Sequence, residues 1–216
     1  SGGDGGGADA IAITAALGWP LVDHGPPPCP DDMVLAGAVC IDRFEAPNEP
    51  GVEPLAMQTA YDGEDWCLAR GKRLCTEVEW MAACEGEAGT LYPYGDEHVT
   101  ARCNDDKVWI APDWGVLGTW PSQAAEDEAA ALYQADPSGW REECVSEAGA
   151  FDLTGNVAEW VVRTLPNVND YDHVMKGCYW AGCFGGTLPN CTFVNPAHPG
   201  EFRTYEAGFR CCREPA

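Results

Sequence analysis

Twelve cysteines are the side chains of this sequence best suited to chemistry. A thiolate can attack a substrate or bind a soft metal ion, whereas two thiols in an oxidising compartment join as a disulfide. The chain has no Cys-x2-Cys pair, and its four histidines are far apart, at His24, His98, His173 and His198. A zinc cluster is therefore the less favoured alternative. The even number of cysteines predicts disulfide bonds and an extracytoplasmic protein.

Acidic side chains form the second conspicuous group. The 216 residues include 35 Asp and Glu but 12 Lys and Arg, which gives a formal net charge of -23. This charge disfavours nucleic acid or an anionic membrane as the main partner, because phosphate attracts a basic face. Hydrophobic residues make up 45% of the chain, so wholesale disorder is also disfavoured. No apolar run approaches the ~20 residues of a membrane span. An intracellular metabolic enzyme is a poor match to these features.

The chain divides into a leader with an N-terminal arm, residues 1–28, and one domain, residues 29–216. Residues 1–7 are a flexible SGGDGGG tether that looks like the start of a bacterial surface lipoprotein, after its lipidated cysteine. This predicts a secreted or lipid-anchored protein. Residues 8–22 are apolar and predict either packing on the chain's own domain or an arm through which copies assemble.

Local patterns place a few regular elements in the domain. A hairpin is predicted around Gly37, and a helix over residues 55–70, which ends at the C-cap glycine Gly71. Thr76 and Glu79 form a capping box that begins a second helix through residue 84. An acidic, alanine-rich helix is a candidate at residues 122–133. Short strands are predicted at residues 160–163, 174–179 and 208–212. Together these elements predict a small α+β domain.

Seven motifs, in order along the chain, resemble the formylglycine-generating enzyme family, also called the sulfatase-modifying factor family. They lie at residues 40–47, 66–74, 76–84, 92–95, 155–160, 176–177 and 208–211. The resemblance covers roughly residues 29–213. It implies a C-type lectin-like fold of the sulfatase-modifying factor type. Such a fold has little regular structure, two helices, small twisted antiparallel sheets and, here, disulfide stabilisation.

The resemblance also implies a chemistry, in which copper(I) on two thiolates and molecular oxygen convert a substrate cysteine to formylglycine. Soft thiolates suit copper(I). The family's pair has Cys-x4-Cys spacing, which Cys178 and Cys183 share. However, their pair starts two residues after Lys176 instead of six, so the family's positions fall near Gly182 and Thr187. A structural disulfide, or two disulfides to other cysteines, is therefore favoured over a shifted copper site.

Two disulfides are implied by the resemblance, Cys67 with Cys211 and Cys84 with Cys191. Each closes a loop of more than 100 residues, and such long loops give the largest stabilisation in the chain-entropy model. Position along the chain suggests two further pairs, Cys29 with Cys40 and Cys103 with Cys144. The partners of Cys75, Cys178, Cys183 and Cys212 stay open.

One segment resembles a calcium site of the family. The resemblance implies side-chain oxygens from Asp152 and Glu159, with carbonyl oxygens from Gly155 and Val157. Calcium takes six to eight oxygen ligands, and irregular loops supply such mixed sets. Asn104 could begin a second site of the family. The alternative is a capped turn with solvated acids.

Three functions follow from these residues. The favoured one is a non-catalytic, extracytoplasmic binding or structural domain, with an unknown protein or glycan as its ligand, because the cysteine pair is out of register. The second is a copper-dependent formylglycine-generating oxidase that uses Cys178 and Cys183. The third is a subunit that assembles through residues 8–22.

Overall fold

The computed structural model of the protein describes residues 28–216. The arm of residues 8–22 lies outside these residues, so its assembly role stays a prediction. The strands are β1 (Met33–Ala36), β2 (Val39–Asp42), β3 (Arg73–Leu74), β4 (Ala158–Val162), β5 (His173–Lys176), β6 (Val194–Asn195), β7 (Ala207–Phe209) and β8 (Cys211–Arg213). The α-helices are α1 (Ala60–Leu68), α2 (Glu77–Glu85), α3 (Trp114–Leu117) and α4 (Gln123–Leu132), and a 3-10 turn spans Phe184–Gly186.

Two four-stranded sheets organise the domain. The first has the order β1-β2-β8-β3 and is antiparallel throughout. The second has the order β6-β5-β4-β7, in which β4 and β7 run parallel. A parallel neighbour requires a long connection, and here that connection carries β5, β6 and their loops. The expected α+β architecture with short strands and long loops is confirmed.

The two best-defined helices begin at threonine caps. At α1, the Thr59 hydroxyl accepts a hydrogen bond from the Asp62 amide at 3.0 Å, while the Asp62 carboxylate accepts one from the Thr59 amide at 2.8 Å. The helix therefore begins at Ala60, five residues later than the predicted start at residue 55, because the cap satisfies the free amides of the first turn. At α2, the predicted capping box of Thr76 and Glu79 is present.

Strand β8 connects the two halves of the core. Its adjacent cysteines point to opposite faces, as successive strand side chains do. Cys211 reaches the cluster that contains Cys67, and Cys212 reaches the cluster that contains Cys75. Arg210 separates β7 from β8, so the single strand predicted over residues 208–212 is wrong: the chain crosses there from one sheet to the other.

All twelve cysteines lie in the described residues, and all are paired. The bonds join Cys29–Cys40, Cys67–Cys211, Cys75–Cys212, Cys84–Cys191, Cys103–Cys144 and Cys178–Cys183. Four of these are the pairs set out in the sequence analysis. The remaining two assign the four cysteines whose partners were open.

Candidate functional site

The loop after β5 holds the two cysteines that the resemblance relates to copper. Cys178 and Cys183 form a disulfide across a turn in which the Gly182 amide donates to the Tyr179 carbonyl at 2.8 Å. The Trp180 carbonyl accepts from the Lys107 amide at 2.8 Å, which fastens the turn to a neighbouring loop. Disulfide sulfurs lack the thiolate charge that copper(I) requires. In this form the pair does not fit a copper site.

Two buried charged side chains lie close to this loop. Lys176 and Glu206 both contribute to the lining of a cavity of about 10 Å³ beside the disulfide, which is close to the minimum space for one water molecule. The Lys176 ammonium and one Glu206 oxygen have no hydrogen-bond partner among the described residues. Burial lowers the pKa of Lys176 to about 8 and raises the pKa of Glu206 to about 7. The resemblance drew attention to Lys176, whereas nothing in the sequence distinguished Glu206 from the other acids.

Glu206 makes a testable contribution to the pH dependence of stability. Its pKa is raised in the folded state, so the folded protein binds more protons than the unfolded chain between about pH 4.5 and pH 7. Stability therefore falls as the pH rises through this window. We expect Glu206→Gln to reduce by roughly 2–3 kcal/mol the amount by which the free energy of unfolding falls between pH 5 and pH 8. Urea unfolding of the wild-type protein and the variant at pH 5 and pH 8 measures this difference. An equal pH dependence in the two proteins would contradict the role of Glu206.

An aromatic strip runs across the surface beside the disulfide loop. Neighbouring ring centroids lie 5.9 Å apart for Phe184 and Tyr179, 6.3 Å for Tyr179 and Tyr205, and 6.1 Å for Tyr205 and Trp114. Phe184 and Trp114 are more than half exposed, whereas the two tyrosines are buried beneath them. The two exposed rings are thus linked through buried tyrosines, and exposed aromatic groups held in this way are typical of a binding surface.

Tyr205 also belongs to a groove of about 640 Å³, a volume typical of ligand sites. We call it the α4 groove. Its walls are the loop of residues 53–57 and helix α4, and the Tyr133 hydroxyl donates to the Pro54 carbonyl at 2.9 Å across one end. Trp120, Tyr133 and Tyr205 provide aromatic surface, and Glu53 and Glu126 are exposed acids of its lining.

A buried ionic cluster surrounds Arg210. The Arg210 guanidinium donates to both carboxylate oxygens of Glu159, at 2.6 and 2.7 Å, and the Trp80 indole donates to the second of them at 2.7 Å. Glu45 and Asp152 are also buried nearby. Burial raises the pKa of Glu45 to about 8, and the Asp152 charge adds to this rise. Three acidic side chains thus lie near one guanidinium, which bonds only Glu159 among them.

The segment predicted to bind calcium lies in this cluster. Burial raises the pKa of Asp152 to about 6, although the Gly139 amide donates to its carboxylate at 2.7 Å and the Arg210 charge opposes the rise. The carbonyl oxygens of Gly155 and Val157 accept no hydrogen bond from the described residues. Glu159 uses three of its roughly four acceptor positions for Arg210 and Trp80. No three Asp, Glu, His or Cys side chains converge on one metal position in residues 28–216. A cation at Glu159 would therefore have to share its oxygens with the Arg210 guanidinium and draw its other ligands from Asp152 and backbone carbonyls.

Asn104, the candidate for a second calcium site, holds loops together in this structure. Its amide nitrogen donates to the Gln134 carbonyl at 3.1 Å and to the Asn156 side chain at 3.0 Å. Its side-chain oxygen faces the Arg141 guanidinium at 3.4 Å. A positive group at this oxygen disfavours a cation there.

The fold and this site define a disulfide-rich α+β domain with an oxidised cysteine pair beside an aromatic surface. The FGE-sulfatase family, described as "Sulfatase-modifying factor enzyme 1-like domain", matches residues 33–215. The chain belongs to this family.

Two relatives show how the family varies. The chain is 29% identical over 164 residues to the inactive C-alpha-formylglycine-generating enzyme 2 of Bos taurus, a match that covers 73% of this chain and 49% of that protein. It is 28% identical over 123 residues to the hercynine oxygenase of Mycolicibacterium thermoresistibile, covering 54% of this chain and 22% of that protein. The chain thus spans about half the length of the first relative, and less of the second.

The crystal structure of CarF has a similar fold. Its TM-score to this chain is 0.55 at 13% sequence identity, with 88% of this chain and 95% of CarF covered. In residues 28–216, no helix combines the length and the apolar character needed to cross a bilayer.

Proposed function

We propose that this protein is a non-catalytic, extracytoplasmic domain that uses the sulfatase-modifying factor scaffold to present a binding surface. One observation carries the proposal: Cys178 and Cys183, the pair related by spacing to the family's copper ligands, are joined as a disulfide. A relative that shares 29% identity is named as an inactive enzyme, which supports the same conclusion. Six disulfides support an oxidising compartment, because reducing cytosol does not maintain such bonds.

Counting thiols tests this proposal directly. In denaturant without reductant, we expect no free thiol, and after reduction we expect all twelve. Peptide mapping of alkylated protein identifies any cysteine that reacts before reduction. Two free thiols at Cys178 and Cys183, in a protein that binds copper(I) and oxidises a cysteine peptide, would contradict the proposal. As a control, Cys178→Ser combined with Cys183→Ser removes the pair and is expected to leave the other five disulfides in place.

We further propose that calcium stabilises the loop that precedes β4. Asp152 and Glu159 would provide carboxylate oxygens, and Gly155 and Val157 would provide carbonyl oxygens. The excess of buried negative charge around Arg210 and the two free carbonyls support this. The cation would compensate the negative charge that the Arg210 guanidinium alone does not neutralise. It would also join the two ends of the loop before β4, which has little regular hydrogen bonding.

Calcium is expected to raise the melting temperature of protein first treated with a chelator. At calcium concentrations about 100 times the dissociation constant, the gain is about 2.7 kcal/mol. Asp152→Asn is expected to abolish most of the shift, because it removes a charged ligand at similar size. Asp170→Asn is the matched control, since Asp170 is fully exposed and pairs with Arg163 at the surface. An equal shift in wild-type protein and Asp152→Asn would count against the site.

A further inference from the structure

We propose that the α4 groove binds an ammonium or guanidinium group carried on an apolar body. The source would be either a lysine or arginine side chain of a polypeptide or a small amphiphilic amine. The inference rests on the proposed binding function and names the chemistry of its ligand. Three features of the groove carry it: its charge, its aromatic surface and the rigidity of its walls.

The charge of the groove is negative on both sides. Glu53 lies on the loop wall and Glu126 on the helix wall, and in the described part of the chain no lysine or arginine lines the groove. Helix α4 also carries Asp127 and Glu128 and has no basic residue. Arg203, which lies near Trp120, is neutralised by Asp62 at 2.6 Å. A cationic ligand therefore meets uncompensated carboxylates, within a protein whose net charge of -23 attracts cations over longer distances.

The lining of the groove suits a cation with an apolar body. Trp120 and Tyr133 present partly exposed aromatic rings, with the buried Tyr205 behind them, and aromatic faces attract ammonium and guanidinium groups. The position of Arg203, 5.6 Å from the centre of the Trp120 ring, shows this attraction within the chain itself. Leu55, Met57 and Ala129 provide the apolar contact that the body of such a ligand requires. Burial raises the pKa of the Tyr133 hydroxyl and the Glu53 charge adds to the rise, as expected for a groove of negative potential.

The walls of the groove are held in place before any ligand arrives. Met57 has a φ of 55°, a left-handed conformation that is uncommon for a residue other than glycine. Its carbonyl accepts a hydrogen bond from Arg203, which is fixed in turn by Asp62, the residue of the α1 cap. Tyr133 fastens the other end of the same loop through Pro54. A strained segment that is secured at both ends is typical of a ligand site.

Binding to the full chain is measured by titration calorimetry at low and high salt. The small probe is 2-phenylethylamine, with 2-phenylethanol as its neutral analogue. The peptide probe is acetyl-Leu-Lys-Phe-amide, with norleucine in place of lysine as its neutral analogue. Each cationic probe is expected to bind about tenfold more tightly than its neutral analogue, and added salt is expected to weaken only the cationic probes. If the peptide binds more tightly than the amine, the result supports a polypeptide source, and if the two bind equally, it supports a small amine.

Two double variants distinguish binding in the α4 groove from attraction by the overall negative charge of the protein. Glu53→Gln with Glu126→Gln is expected to weaken the cationic probes about tenfold. Glu142→Gln with Glu143→Gln makes the same change in net charge at a different cleft, and is expected to alter binding less than about twofold. The inference is overturned if the neutral analogues bind as well as the cations, or if both pairs of variants weaken binding equally. Thiol counting is independent of these titrations, so failure of the groove and failure of the non-catalytic assignment are distinguishable.

Discussion

Replacement of Arg210 by methionine is expected to lower the free energy of unfolding by about 3–5 kcal/mol at neutral pH. The guanidinium is fully buried and donates to both oxygens of Glu159. It also donates to the Phe151 carbonyl at 2.9 Å. Methionine keeps most of the apolar volume but leaves the buried Glu159 carboxylate, and Asp152 beside it, without a compensating charge. The loss is expected to be smaller at pH 5 than at pH 7, because Asp152, whose pKa is about 6, is largely protonated at pH 5 and then needs no compensating charge.

Urea unfolding monitored by tryptophan fluorescence measures this effect, in the presence of a chelator so that calcium does not contribute. Arg163→Met is the control, since it breaks an ion pair of the same type with the exposed Asp170 and is expected to cost less than about 1 kcal/mol. Similar losses in the two variants would show that the buried cluster contributes no more than a surface pair.

The two disulfides at β8 are expected to stabilise the protein non-additively. Cys67–Cys211 and Cys75–Cys212 end on adjacent residues. Either bond alone therefore holds the segment around residues 67–75 next to β8. Removal of one bond, by alanine at both of its cysteines, then opens a ring of only about ten residues and costs about 3 kcal/mol in the chain-entropy model. Removal of both also opens a ring of about thirty residues, which the remaining Cys84–Cys191 bond closes at its other end, and is expected to cost about 1 kcal/mol more than the sum of the single losses.

A double-mutant cycle in guanidinium chloride tests this coupling. The bond Cys29–Cys40 provides the control, because its two cysteines are 11 residues apart and the loop it closes shares no residue with the others. Its removal is expected to be additive with removal of Cys67–Cys211. If the two β8 bonds were also additive, the chain would behave as though each closed an independent loop.

Features that depend on neighbouring residues could be predicted from the sequence. The capping box of Thr76 and Glu79 involves residues three apart, and the structure contains the predicted helix. The start of α1 was placed too early, because residues 55–59 have the composition of a helix. Their non-helical path follows instead from the cap at Thr59 and from the contacts of Met57 and Pro54 with distant side chains.

The candidate site was accessible to sequence reasoning only in part. The spacing of Cys178 and Cys183 drew attention to the loop after β5, although their bond to each other was one of several alternatives. Glu206 could not be distinguished from the other acids of the chain, since its unusual property is burial without a partner. The α4 groove joins three separate segments, none of which carries a recognisable ligand motif.

By itself, the sequence determined the family, the acidic and disulfide-bonded character of the chain, and the cysteine pairs that the family's order implies. Such features are encoded in composition, local spacing and the order of motifs. Only the tertiary structure decided the partners of Cys75 and Cys212, the crossing between sheets at Arg210, and the charge and shape of the α4 groove. These depend on which distant segments meet and which side chains lose water there. Burial and long-range contact are properties of the folded chain, and no short stretch of sequence contains them.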